Sequence, residues 1–203
     1  MIKIENENIS GWAAAIRGMR NPLESWEKSD SNNFIVGEKD RELMQNLVKA
    51  GTDHSKFMRM IIVTMDITAP LYWWKEFDTY KIGTVRNSCS TMHKIHADEI
   101  TINDFSYDHL SDVSKVYFVS IIRLCEELRK RYIETNDKKY WYEIIQLLPS
   151  SYNQRATIML NYEVLRKMYH ARKNHKLDEW RVFCDWIEDL PYAKELITNV
   201  TPR

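Results

Sequence analysis

The sequence carries no surplus of charge, since 29 Lys+Arg balance 29 Asp+Glu. A protein that coats nucleic acid needs a basic face, so general nucleic-acid binding is not expected, while a local cluster of cations for a small anion stays open. Glycine and proline are scarce, five of each, which excludes collagen-like and linker-like chains. With so few glycines, neither G-x-G-x-x-G nor a Walker A loop occurs, and there is no serine nucleophile elbow. Cysteine is nearly absent too. Cys89, Cys125 and Cys184 are odd in number and far apart, a pattern of free thiols in a reducing compartment. No apolar run approaches the roughly 18 residues of a membrane span, and MIKIENENIS lacks the apolar stretch of a signal peptide. These absences predict a soluble, cytoplasmic protein with no membrane partner.

Aromatic residues are plentiful: seven Trp, eleven Tyr and six Phe. That many rings cannot stay solvated, so the chain must pack a core, and its length predicts one domain over 1–203. Apolar spacing predicts a short edge strand at Met1 to Glu5 and a helix from Ile9 to Met19, capped by Asn8 and stopped by Asn21-Pro22. Lys28 to Asn33 reads as a polar loop, and Gly37 to Ala50 as a helix closed by Gly51. Ile61 to Ile67 is a β-branched strand. Pro70 then fits the first turn of a helix from Leu71 to about Tyr80. Ile82 to Ser90 reads as a structured loop. Val113, Tyr117, Ile121, Leu124 and Leu128 recur at helical spacing from Ser111 to Ile133. Lys139 to Leu147, Asn153 to Arg172 and Leu177 to Leu190 read as three further helices, the second burying Ile158, Tyr162, Leu165 and Tyr169. The expected fold class is α+β, mostly helical with a small mixed or antiparallel sheet.

Several motifs invite a chemical reading beside a plainer one. His93, His96 and Glu99 are spaced three apart, so a helix would align them for a metal, but zinc motifs need closer pairs or more of them and the expected metal set is none. The basic stretch Arg166, Lys167, Arg172, Lys173 and Lys176, with His170 and His175, is either a dipole-matched helix end or a phosphate site. Tyr72, Trp73, Trp74 and Phe77 can stack on a planar ring, yet at helical spacing they fit a core better.

The stretch His54 to Lys94 resembles the signature region of the flavin-dependent thymidylate synthases, the ThyX family. That family places a histidine after a helix, then a strand, then Ala-Pro leading into a helix. The helix ends in Arg-Gln-x-x-Arg-His-Arg, followed by x-x-Ser-x-Asn-Glu-x-Ser-x-Arg-Tyr. Laid on this sequence without a gap, His54 and Ala69-Pro70 coincide with their counterparts. Lys75-Glu76 falls on Arg-Gln, Thr79-Tyr80-Lys81 on Arg-His-Arg, and Thr84 on the first Ser. Arg86-Asn87 falls on Asn-Glu, Cys89 on the second Ser and Thr91 on the last Arg. A second segment agrees: Leu148-Pro149, Asn161 and Arg172 keep the family's spacing. The family's arginine before the Leu-Pro is Ile145 here, and its late His-Ala-Gln has become Lys176-Leu177-Asp178.

The resemblance implies a ThyX-like fold, FAD as cofactor, dUMP or another pyrimidine nucleotide as ligand, and a homotetramer. It places His54 and Asn161 near the flavin and Arg172 near the pyrimidine, with Lys81 and Arg86 as remaining cofactor contacts. Lys75, Glu76, Asn87 and Cys89 fall at the family's nucleotide positions. Only one cation of the Arg-His-Arg triplet remains, and lysine does not reproduce the bidentate fork of arginine. Each lost charge-assisted hydrogen bond costs about 1.5–3 kcal/mol. These losses predict a chain that binds a pyrimidine nucleotide without making thymidylate. In that case Arg172→Ala should weaken nucleotide binding far more than Arg129→Ala. The alternatives are an active FAD-dependent methyltransferase of the thymidylate synthase type, and a non-catalytic interaction protein whose site is filled by Trp73, Trp74 and Tyr80.

Overall fold

The computed structural model describes residues 2–32 and 35–200. Met1 and Asn33, which the expected first strand and polar loop include, lie outside the described residues. Four strands form one antiparallel sheet in the order β1-β2-β4-β3. They are β1 (Lys3–Ser10), β2 (Ile62–Pro70), β3 (Val85–Ser88) and β4 (Asn153–Asn161). The helices are α1 (Trp12–Arg20), α2 (Glu38–Lys49), α3 (Leu71–Phe77), α4 (Thr91–Lys94), α5 (Asp112–Thr135), α6 (Lys138–Leu147), α7 (Tyr162–Arg172) and α8 (Asp178–Glu188). The chain divides into two compact units. One comprises Met1–Lys3, Ile67–Thr79 and Asn87–Ala156; the other comprises Ile4–Asp66, Tyr80–Arg86 and Thr157–Arg203.

In the first unit, α3 buries Trp73, Trp74 and Phe77 completely or nearly so, with rings meeting edge-on 4.9–5.3 Å apart. Trp74 Nε1 donates to the Gln154 carbonyl at 2.9 Å, which satisfies its one polar atom. The stripe is core, and it has no surface left to give to a subunit interface or a ligand ring. Pro70 is the N-cap of α3 rather than its first residue. Helices α5 and α6 pack together. Their seam holds Ile122, Cys125, Leu128 and Ile144, with Ile95, Ile100 and Phe105. Of the five apolar residues spaced along α5, only Leu128 is buried; Val113, Tyr117, Ile121 and Leu124 face water. The register is right and the covered side is wrong, because a long helix carries two apolar stripes and α6 covers one of them.

In the second unit the expected helix over 9–19 begins three residues late, at Trp12, because Asn8 belongs to β1. The chain turns at Gly11, with φ +91°, where a Cβ would collide with the Met60 carbonyl oxygen. Only glycine meets both demands. Arg20 and Asp40 form a buried ion pair at 2.6 Å between α1 and α2. Ser29 and Ser31 hydroxyls donate to the other Asp40 oxygen at 2.6 Å. Burial pushes this carboxyl upward, but the hydrogen bonds from Ser29, Ser31 and Arg20 outweigh it and hold the group below the usual range.

The largest departure from the sequence reading lies at 153–172. Instead of one helix there is a strand, β4, followed by α7. In β4, Ala156, Ile158 and Leu160 are buried while Arg155, Thr157 and Met159 are exposed, the period-2 pattern of a strand. Ile158, Tyr162, Leu165 and Tyr169 also fit a helical period, so spacing alone mis-assigned the first half. The boundary signal is Asn161, whose Oδ1 accepts from Val164 N–H at 3.1 Å and caps α7. The loop expected at 82–90 likewise contains the short edge strand β3.

Candidate functional site

His54 opens a 3₁₀ turn, Ser55–Met60, that follows the tight turn at Gly51. Its backbone N–H donates to the Gly51 carbonyl at 3.1 Å, while its side chain is exposed. The neighbouring Ser55 is buried and accepts from Arg166 Nη2 at 3.3 Å. Arg166 is buried too, and pairs with Glu163 at 2.7 Å. So the turn carrying His54 is tied to α7 from below. Above it lies a cleft of 740 Å³ between α1, α2 and this turn. Its walls include Met19, Leu43, Leu47 and Phe57, and its polar lining includes His54, Asp53, Lys28, Lys39 and Lys56. An apolar wall with three ammonium groups suits a flat or amphipathic anion.

A second constellation lies at the end of α7. Arg172 Nε donates to the Tyr80 hydroxyl at 2.9 Å. Its guanidinium carbon is 4.8 Å from the Trp180 ring centre and 5.6 Å from that of Tyr80. Two rings and one hydroxyl therefore fix the orientation of this cation, and stacking on rings suits the planar guanidinium. Tyr80 stands where the resemblance has the histidine of Arg-His-Arg. Asn161 is nearly buried. Its oxygen caps α7, and its amide nitrogen lies under Gly83, where a Cβ would come within 3.1 Å of it. Lys81 is exposed and Arg86 half-buried in the same segment. The structure thus brings Tyr80, Arg172 and Trp180 together, and sets the Gly83 loop on Asn161.

The remaining candidates belong to the first unit. Lys75 is exposed and Glu76 half-buried on α3, and Asn87 is exposed on β3. Cys89 is an exposed free thiol. Its N–H donates to the Arg155 carbonyl at 2.9 Å, and its carbonyl accepts from Gln154 Nε2 at 2.7 Å. The backbone is anchored on both sides while the sulfur is left to solvent.

His93, His96 and Glu99 do not share a helix face, because α4 ends at Lys94. Among the described residues no three His, Cys, Asp or Glu converge on a metal position. The basic stretch is dispersed rather than a single patch. Arg166 is internal, Lys173 lies 5.7 Å from the Tyr169 ring, and His170 Nε2 is 2.8 Å from the Ile197 carbonyl. Sequence reasoning missed Tyr80 and Trp180 as partners of Arg172. Nothing in the sequence links positions 80, 172 and 180, so only the fold could supply that contact. The Lys28, Lys39 and Lys56 cluster was missed for the same reason.

No family model matches the sequence, and no curated protein matches it. Solved structures do. ThyX from Helicobacter pylori, complexed with FAD and dUMP, superposes with a TM-score of 0.77 at 16 % identity, over 98 % of this chain and 99 % of that one. A second structure of the same enzyme with FAD and dUMP gives 0.78 at 16 % identity, over 100 % of both chains. PolB from Streptomyces cacaoi, a UMP/dUMP methylase bound with 5-Br UMP, gives 0.66 at 14 % identity, over 100 % of this chain and 97 % of that one. This chain has the ThyX fold. The ThyX-like order of strand, Ala-Pro and helix is the β2–α3 segment, and the ThyX-like Leu-Pro, Asn and Arg positions are the end of α6, the cap of α7 and its last residue. Among the described residues no helix is long and apolar enough to cross a membrane.

Proposed function

We propose that this ThyX-like chain binds a pyrimidine nucleotide through Arg172 and does not make thymidylate. One observation carries the reading: end-to-end likeness to chains that hold dUMP or 5-Br UMP, with Arg172 already oriented by Tyr80 and Trp180. A guanidinium fixed in advance loses little entropy when it meets a pyrimidine carbonyl or phosphate. The donor set speaks against thymidylate synthesis. Of the Arg-His-Arg cations, Thr79-Tyr80-Lys81 keeps one, and Tyr80 has its hydroxyl on Arg172.

A second reading, an active FAD-dependent enzyme, is favoured by the His54 cleft. Of the residues at the resemblance's flavin positions, His54 lines this cleft, while Asn161 has its oxygen engaged as the cap of α7. If flavin loads, Lys28, Lys39 and Lys56 are the residues to hold its phosphates and His54 to border its ring. Flavin would supply redox chemistry that no side chain of this chain provides. The homotetramer implied by the resemblance belongs to both readings, as does a soluble setting in the cytoplasm.

The test is binding of dUMP and UMP by calorimetry, with mass spectrometry of small molecules released on denaturation. Arg172→Ala should lower affinity by about tenfold or more, the scale of one lost charged hydrogen bond. Arg129 is a poor comparison, because it pairs with the nearly buried Glu126 at 2.6 Å and donates to the His96 carbonyl. Exposed Arg131, paired with Glu127 on the same helix, is the better control and should leave binding unchanged. Equal effects of the two substitutions would sink the proposal. Stoichiometric flavin in the purified protein would favour the second reading.

A further inference from the structure

The turn that follows α6 walls a cavity in the first unit that nucleotide binding leaves unused. It holds 280 Å³, the small end of ligand pockets, so its occupant is smaller than a nucleotide. Tyr72, Tyr107 and Phe118 line it. The Tyr107 and Phe118 rings stand 6.5 Å apart and 38° from parallel, and Phe105 braces Phe118 edge-on at 5.5 Å. The rest of the wall is polar. Ser106 N–H donates to the Ser151 carbonyl at 2.9 Å, and Tyr72 N–H to the Ser150 carbonyl at 3.0 Å. Ser106 Oγ donates to Asn153 Oδ1 at 2.8 Å. These bonds fix three chain segments around the cavity before anything binds, which lowers the entropy lost on binding. One group is left over. Ser151 Oγ is shut off from water and has no hydrogen-bond partner among the described residues. A buried hydroxyl in that state costs free energy until something in the cavity meets it.

We propose that this cavity binds a small organic ammonium ion that carries a hydroxyl group, of the ethanolamine and choline class. The sign of the lining selects a cation. No lysine or arginine lines the cavity, and Asp108, exposed at its rim, supplies its one carboxylate. Three aromatic rings attract an ammonium or trimethylammonium group. The carbonyl end of α6 runs into Pro149 in the wall, and that end of a helix dipole favours positive charge. The opposite end of α5 carries its own carboxylate, Asp112, in the first turn. The hydroxyl of the ligand answers the Ser151 hydroxyl, which both donates and accepts. A phosphate would meet Asp108 with no cation in the lining to hold it, so a phosphorylated amino alcohol is rejected. The site lies in the first unit, whereas Arg172 belongs to the second, so the proposal stands or falls independently of nucleotide binding.

Ligand-observed NMR titration of the full chain with choline and with ethanolamine tests the site. It is run at about pH 8, where an ordinary imidazole, such as that of His109 in the lining, is neutral. At least one of the two should bind saturably, at one site per chain. Their uncharged isosteres, 3,3-dimethyl-1-butanol and 1-propanol, should bind about tenfold more weakly. Phosphocholine should fall below choline by about the same factor. Ser151→Ala should lower the affinity about fivefold. Its denaturant midpoint should be no lower than that of the wild type, since the hydroxyl has no partner to lose in the free protein. Asp108→Asn should lower the affinity about threefold and Tyr107→Leu about tenfold, while Arg172→Ala should leave it unchanged. Three results would each overturn the proposal: no saturable binding of either amino alcohol, equal binding of the uncharged isosteres, or wild-type affinity in both Ser151→Ala and Asp108→Asn. The last would assign water as the partner of Ser151.

Discussion

Helices α3 and α5 both announce themselves by apolar residues at helical spacing, and they end in opposite environments. In α3 the stripe of Trp73, Trp74 and Phe77 is sealed inside its unit. In α5 the stripe from Val113 to Leu124 is open, and a second stripe through Ile122 and Cys125 is packed. The difference lies in what each helix is attached to. α3 leaves a strand through Pro70, and its first two N–H groups are caught by the Tyr152 and Ser150 carbonyls at 3.0 Å. That pins a seven-residue helix with its aromatic side inward. α5 is 24 residues long, and it is packed on one side only, by α6 and by Ile95, Ile100 and Phe105. Spacing therefore reports that an apolar stripe exists, and the neighbours decide whether it is covered.

Trp74→Ala should cost about 3–5 kcal/mol, the scale of a deleted buried ring. Tyr117→Ala should stay within about 0.5 kcal/mol in dilute protein, as an exposed surface change does. Denaturant midpoints check both, and similar losses would refute the contrast. A sharper version uses one residue type at adjacent positions: Ile122→Ala should cost about 2–5 kcal/mol and Ile121→Ala less than about 1 kcal/mol.

The packed side of α5 also carries charge, which α3 does not. Glu126 is nearly buried and is held by Arg129 at 2.6 and 2.7 Å and by the Ile100 N–H at 2.9 Å. The Arg129 hydrogen bond, acting against burial, holds its carboxyl below the usual range. A depressed carboxyl contributes stability that is complete above the unfolded pKa, near 4.3–4.5, and is lost as pH falls through the folded value. Glu126→Gln should cost about 1.5–3 kcal/mol at neutral pH. Its stability should then fall less than that of the wild type below about pH 4.5. Parallel acid curves would contradict this.

The smallest effect concerns the thiols. Burial pushes Cys125 upward, and burial with the nearby Asp185 and Glu188 pushes Cys184 up to about 12. With Cys89 exposed, one thiol per chain should react with a disulfide reagent in the native state and three after unfolding. Two or more fast native thiols would show that one of these helices opens.

Much of the molecule was legible before folding. Gly37 to Ala50 gave α2, Lys139 to Leu147 gave α6 within one residue, and the β-branched run at 61–67 gave β2. The ThyX-like fold followed from motif spacing that survived loss of the motif's own residues. What was not legible shares one cause. At 153–172 two periods fitted the same residues, and only pairing of β4 into the sheet chose between them. On α5 two stripes were present, and only α6 chose the inner one. The candidate site divides in the same way. Arg172 and His54 were marked by the resemblance to the ThyX family, whereas the Tyr80 hydroxyl on Arg172, and Lys28 and Lys39 beside His54, join residues far apart in the chain.

The sequence by itself determined the class of fold, the caps and turns, and the residues that keep the ThyX-like spacing. These rest on local chemistry: the fixed φ of proline, the capping oxygen of Asn161, the missing Cβ of Gly11. Tertiary structure alone decided which apolar faces are core, which cations are tied and which stand open at a cleft. Burial depends on what lies opposite, and a periodic pattern holds no information about its neighbour until the chain has brought that neighbour there.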